Sequence, residues 1–160
     1  MGSEKKRAMK SDRSNSFSKN AIVPRIIPQL VKKDDYILDF GCGKGKVHVK
    51  QLKDQGYSVA GYDISIPGSY GESIKGKRYD VVYLSNVLNV QSNEEMLEDL
   101  FDSVLKCLLP SGFIVVNYPY DPRYLGWSTD KMLEWLKEKF MSVIRVRKEI
   151  AGNNIVWILQ

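Results

Sequence analysis

Residues 39–45 carry the pattern most able to do chemistry: Asp39-Phe40-Gly41-Cys42-Gly43-Lys44-Gly45 sets a carboxylate at the end of a short apolar run, followed by glycines at alternate positions. Such a turn delivers bare backbone to a ligand at the carboxyl edge of a sheet, where side chains would block the approach. The dinucleotide fingerprint wants glycine at the first, third and sixth positions, and the sixth here is Lys46. The phosphate-binding P-loop wants four residues between its glycines and then Lys-Ser/Thr, whereas Gly45 follows Gly41 too soon and Lys46 is followed by Val47. The turn therefore fits neither a dinucleotide nor a nucleoside triphosphate. Other reactive types have plainer roles. His48 is the chain's one histidine, with no Cys or Asp beside it, and is expected at the surface. Cys42 and Cys107 lack metal-ligand spacing and read as reduced thiols, with Cys42 packing beside the turn. Asn117 and Tyr118 close another apolar run, where active-site loops gather, and are candidates on the catalytic side.

Alternating strands and helices must position these residues. Tyr36 to Phe40 reads as a strand, Lys46 to Gln55 as a short helix, Tyr57 to Tyr62 as a second strand closed by Asp63, and Tyr79 to Leu84 as another buried strand. A helix is expected from Ser92, capped by its hydroxyl in a box with Glu95 and stopped by Pro110 and Gly112. Phe113 to Val116 then forms a strand and Asp130 to Phe140 a helix. Val143 to Lys148 and Asn154 to Leu159 are strands joined by a link too short for a parallel crossover, so they pair as an antiparallel hairpin. Residues 20 to 33, limited by Pro24 and Pro28, are expected to form a short lid-like helix. The result is an α/β three-layer fold, mostly parallel with a reversed C-terminal edge.

Ile37-Leu38-Asp39-Phe40-Gly41-Cys42-Gly43-Lys44-Gly45 resembles the first motif of the class I, Rossmann-like S-adenosylmethionine-dependent methyltransferases, and the order of elements extends the resemblance over most of the chain. The resemblance implies S-adenosylmethionine as cofactor, with Asp39 near its amino acid portion, Gly41, Cys42, Gly43 and Gly45 beneath it, and Asp63 and Ile64 at its ribose end. Asp63 lies twenty residues beyond Gly43, the length of a helix and a strand, and a carboxylate can accept from a vicinal diol. Ser85 and Asn86 would stand beside the cofactor, with Asn86 also facing the methyl acceptor.

The chain departs from the family in two places. Only 15 residues, Ile64 to Arg78, separate Asp63 from Tyr79, where the family places a helix, a third strand and a second helix. A loop with at most a vestigial strand is expected, giving six strands and leaving adenine recognition unassigned. The Asp/Asn-Pro-Pro-Tyr/Phe motif of the nucleic-acid amino-methyltransferases is also missing: Ser85-Asn86-Val87-Leu88 occupies its place, and Asn117-Tyr118-Pro119-Tyr120 resembles it one strand too late.

With 160 residues, one domain is expected over residues 20–160. Residues 1–19 hold six basic residues against two acidic ones, most of the net charge of +5, and too few apolar groups to order themselves. Such an arm can find phosphates, which makes a nucleic acid one expected partner, or it can serve as a solubilising leader. Apolar runs fall far short of a membrane span, so a cytoplasmic protein is expected. The expected activity is methyl transfer to a nucleic acid. The rivals are a cofactor-binding subunit acting through a protein partner, and a methyltransferase of small molecules or proteins.

Overall fold

The computed structural model describes residues 21–122, 124–147 and 153–160, and the basic arm lies outside them. Six strands form one sheet: β1 (Tyr36–Phe40), β2 (Ser58–Tyr62), β3 (Tyr79–Leu84), β4 (Leu108–Pro119), β5 (Val143–Arg145) and β6 (Asn154–Leu159). Their order is β2-β1-β3-β4-β6-β5; the first four are parallel, and β6 runs antiparallel to both β4 and β5. The period-2 alternation of side chains divides the core in two. Ile37, Val81, Tyr83 and Val115 face α1 (Ile22–Leu30) and α2 (Val47–Asp54). Leu38, Phe40, Val82, Leu84 and Val116 face α4 (Glu94–Lys106) and α5 (Thr129–Lys139). A short α3 (Ser69–Ser73) lies against β2.

Helix α1 is not a lid. Its residues Ile22, Val23, Ile26 and Ile27 are buried in the core against the sheet. Pro24 sits in its first turn, where a missing N–H costs no intrahelical bond, and Pro28 is accommodated close to its end. Helix α4 is capped by Asn93 rather than Ser92: Asn93 is extended, and its Oδ1 accepts from the Met96 amide at 2.9 Å. The chain leaves that helix at Cys107 and enters β4 at once, so Pro110 and Gly112 lie inside the strand. The pairing with β3 shifts register there, between Tyr79 and Val81, which relieves the proline of a regular ladder bond.

The shortened segment after Asp63 folds as α3 and contains no strand. Two of its serines instead complete the outer edge of β2: Ser73 Oγ donates to the Gly61 carbonyl at 2.8 Å, and Ser69 Oγ accepts from the Asp63 amide at 3.2 Å. Tyr79 fastens the helix by donating its hydroxyl to the Ser73 carbonyl at 2.7 Å. Because Gly61 is buried, Ser73→Ala strands its carbonyl and is expected to lower stability by about 1–3 kcal/mol in urea titration. An unchanged midpoint would show that water satisfies this edge.

Candidate functional site

The direction of chain progression reverses between β1 and β3, the switch point where open α/β sheets bind ligands. The glycine turn leaves β1 at this point with Gly41 at φ 90° and Gly43 at φ 73°. A Cβ on Gly41 would also stand 2.8 Å from Val87 Cγ2, so both conformation and space demand glycine there. The amides of Gly41 and Cys42 donate to the Tyr62 carbonyl at 2.7 and 3.0 Å, and that of Gly43 to Asp63 Oδ2 at 2.8 Å. These donors are spent within the protein, and two carboxylates stand behind them. The turn is thus built against an anion such as phosphate.

Asp39 is buried and accepts from the Tyr83 hydroxyl at 2.8 Å through Oδ2, while its Oδ1 has no partner among the described residues. Burial pushes its carboxyl up to about 7; the Tyr83 hydrogen bond opposes the rise and the charge of Asp63 adds to it. Asp63 is fully buried. Its Oδ1 accepts from the Ser65 amide at 2.9 Å and the Ser65 hydroxyl at 2.6 Å, so both of its oxygens serve protein donors. The structure makes Asp63 a clasp that ties the turn to β2. The proximity of Ser65, two residues on, folds the carboxylate back on its own loop.

Beside the turn opens a cleft of about 610 Å³ when the open space at its mouth is counted. Phe40, Tyr62, Ile64, Val87, Val90 and Leu100 supply its apolar walls, and Asn86, Gln91 and Ser103 its polar groups. Of the residues singled out from sequence, Gly41, Ile64 and Asn86 line it. Asp39, Cys42, Gly43, Asp63 and Ser85 are buried behind it, and Gly45 is half-buried farther along the turn. Ser85 Oγ is buried without a partner among the described residues. Sequence reading missed Phe40 and Tyr62, which pair across β1 and β2 with ring centroids 4.8 Å apart. It also missed Gln91, and Leu100 and Ser103, which come from α4. The strand ends could have identified the aromatic pair, because each precedes a loop at the same sheet edge. Nothing local marked the helix residues.

Three asparagines from different elements meet at the same edge. Asn117, fully buried at the end of β4, accepts from the Asn86 amide at 2.7 Å through Oδ1. Its Nδ2 donates to Asn86 Oδ1 at 2.7 Å and to Asn154 Oδ1 at 3.1 Å. A backbone N–H can only donate, so the first contact fixes which way the Asn117 amide faces, and the second then fixes Asn86. Asn86, held at φ 57°, is left with its Nδ2 as a donor in the cleft wall. Tyr118, the neighbouring candidate, points to the opposite face. It is buried, donates to the Trp127 carbonyl at 2.7 Å and stacks on Trp157 at 6.5 Å; burial pushes its hydroxyl up to about 12.

Cys42 and His48 are both buried. Cys42 fills the space over Gly61, where a Cβ would stand 2.8 Å from its Sγ, and burial with nearby Asp39 raises its thiol well above the usual range. His48 is 2% exposed, not a surface residue, because α2 turns it inward with Val49 and Leu52. No helix among the described residues is long and apolar enough to cross a membrane.

A family model described as a methyltransferase domain matches residues 10–152. No curated protein matches the sequence. Among solved structures, a TehB-like SAM-dependent methyltransferase from Corynebacterium glutamicum shares 20% identity over 86% of this chain and 85% of its own, with a TM-score of 0.63. The glycopeptide N-methyltransferase MtfA, complexed with S-adenosylhomocysteine, shares 13% identity over 90% and 91%, with a TM-score of 0.66. A 1,6-didemethyltoxoflavin-N1-methyltransferase from Burkholderia thailandensis, with 1,6-didemethyltoxoflavin and S-adenosylhomocysteine bound, shares 15% identity over 97% and 87%, at 0.64.

Proposed function

The chain belongs to the class I, Rossmann-like S-adenosylmethionine-dependent methyltransferases, and from that premise we propose that it methylates a small, uncharged acceptor bearing a lone pair close to the reacting atom. The residues of the site suit the cofactor. Asp39 Oδ1 and Ser85 Oγ are buried polar atoms with no partner among the described residues, and behind amides that are already spent the turn sets the Asp39 carboxylate, which suits a cation and not a phosphate. When bound, S-adenosylmethionine supplies an electrophilic methyl group on a positively charged sulfur. The chain's part is to hold the acceptor in line and keep water out.

The observation that carries the acceptor class is the cleft wall. None of its described residues is charged, and Asn86 presents a donor in fixed orientation. A phosphodiester beside Asn86 would face Val87 and Val90, whereas a carbonyl or ring nitrogen finds its complement in Asn86 Nδ2. In this reading Asn86 positions the acceptor and Asn117 positions Asn86. The neighbour from Burkholderia thailandensis, with its bound small molecule, is consistent with it. A nucleic-acid acceptor is favoured by one separate observation, the six basic residues of the arm.

Full-length protein incubated with methyl-labelled S-adenosylmethionine and separate pools of small metabolites, RNA, DNA and protein tests the proposal. Label is expected in the small-molecule fraction. Label in nucleic acid that disappears on deleting residues 1–18 would establish the second reading instead. Label in none, despite calorimetric binding of S-adenosylhomocysteine, would indicate a subunit that acts through a protein partner.

A further inference from the structure

The α4 end of the cleft is walled by residues that occupy the place of a missing piece of the fold. No strand lies between Asp63 and Tyr79, so β2 is the sheet's edge, and α4 contributes Leu100 and Ser103 to the cleft. Gln91 enters the cleft just before that helix and is 7% exposed. Its Nε2 donates to the Val87 carbonyl at 2.9 Å. A carbonyl can only accept, so this bond settles the amide: nitrogen toward Val87, oxygen the other way. Ser103 is constrained in the same sense, because its hydroxyl donates to the Asp99 carbonyl at 3.0 Å and retains its lone pairs. The two polar groups of this end therefore have acceptor capacity, Gln91 buried and Ser103 at the exposed rim, beside the apolar side chains of Phe40, Tyr62, Ile64 and Leu100, a surround suited to an aromatic ring.

We infer that Gln91, assisted by Ser103, recognises the exocyclic amine of the cofactor's adenine, replacing the third-strand segment this chain lacks. An aromatic amine offers two N–H donors in the ring plane, and the cleft offers two acceptors with no competing charge. A ring carrying a carbonyl at that position would set oxygen against oxygen. The inference rests on the methyltransferase reading, since it takes the cleft's ligand to contain adenine.

The test compares two neutral probes by calorimetry on the full chain: S-adenosylhomocysteine, and S-inosylhomocysteine, in which the amine is replaced by a carbonyl. The unaltered protein is expected to prefer the adenine compound by about 10-fold or more, the worth of one well-formed hydrogen bond. In Gln91→Leu the affinity for S-adenosylhomocysteine should fall by about 10-fold and the preference between the probes should largely vanish. Gln91→Met serves as a second variant, and thermal melting of both shows that each is folded. Equal binding of the two probes by the unaltered protein overturns the inference, as does a preference that survives in folded Gln91→Leu. Failure of S-adenosylhomocysteine to bind at all overturns the cofactor assignment itself and this inference with it, an outcome distinct from binding without discrimination.

Discussion

Asp39→Asn is expected to remove most cofactor affinity while making the ligand-free protein more stable above neutral pH. The two effects have one cause. Burial raises the Asp39 carboxyl from its ordinary value near 3.8 to about 7, so between those pH values the folded chain holds a proton that the unfolded chain has released. Stability therefore falls as pH rises from about 4 to about 7 and levels off above, where the folded state carries the full cost of a buried carboxylate with one unpartnered oxygen. Asparagine removes the charge and keeps an oxygen for the Tyr83 hydroxyl, though its amide needs a partner of its own. A net gain of about 2 kcal/mol at pH 8 is expected, with the pH slope gone, in urea titrations from pH 5 to 8. Cofactor binding runs the other way. A cationic ligand favours the ionised carboxylate, so affinity in the unaltered protein should rise with pH to about 7 and then flatten. In Asp39→Asn it should fall by about 100-fold at pH 8, with no such rise. A variant that binds normally would show that the Asp39 carboxylate does not face the cofactor, and one that keeps the pH slope of stability would show that the slope does not arise from Asp39.

What could be read from the residues and what could not divide along physical lines. The strand ending in Asp39, the glycine turn and the reversed final strand are local patterns, and the fold reproduces them because backbone conformation and short links leave few alternatives. Where two local choices were of nearly equal quality, tertiary structure decided. Ser92 and Asn93 can both cap a helix, and the extended conformation of Asn93 gave it the role. The apolar stripe of α1 suits a lid as well as a core layer, and only the sheet's free face shows that it is core. The cleft was legible at its β1 and β2 ends and not at its far end. Leu100 and Ser103 come from a helix more than fifty residues after the glycine turn, and no spacing rule links the two. Asp63 shows the reverse: its place at the end of β2 was evident, but the direction of its carboxylate depended on Ser65, whose two donors turn it inward.

Asn117→Ala and Tyr118→Phe, substitutions at adjacent residues that looked alike in the sequence, are expected to have opposite effects. The period of a strand sends them to different faces of the sheet. Removing the Asn117 amide leaves the Asn86 N–H, Asn86 Oδ1 and Asn154 Oδ1 without their shared partner. Asn86 then has no reason to hold its left-handed conformation or to keep Nδ2 toward the cleft, and both the wall and its donor lose definition. With an acceptor identified from the labelled pools, kcat/KM should fall by about 100-fold, while S-adenosylhomocysteine affinity changes by less than about 5-fold, because the glycine turn and Asp39 are untouched. Asn117→Asp supplies the decisive contrast. It retains the bond from the Asn86 amide but can no longer donate to Asn86 Oδ1, so the Asn86 amide should reverse and present oxygen to the acceptor. Activity should remain low even though the fold is preserved. Tyr118→Phe deletes one hydrogen bond to the Trp127 carbonyl and keeps the ring stacked on Trp157, so it should cost about 1 kcal/mol of stability and leave kcat/KM within about 2-fold. If Asn117→Asp were fully active, orientation of Asn86 would not govern the reaction. If Tyr118→Phe lost activity while folded, the cleft would have to reach along the α4 and α5 face as far as the Tyr118 hydroxyl, against the burial of that residue.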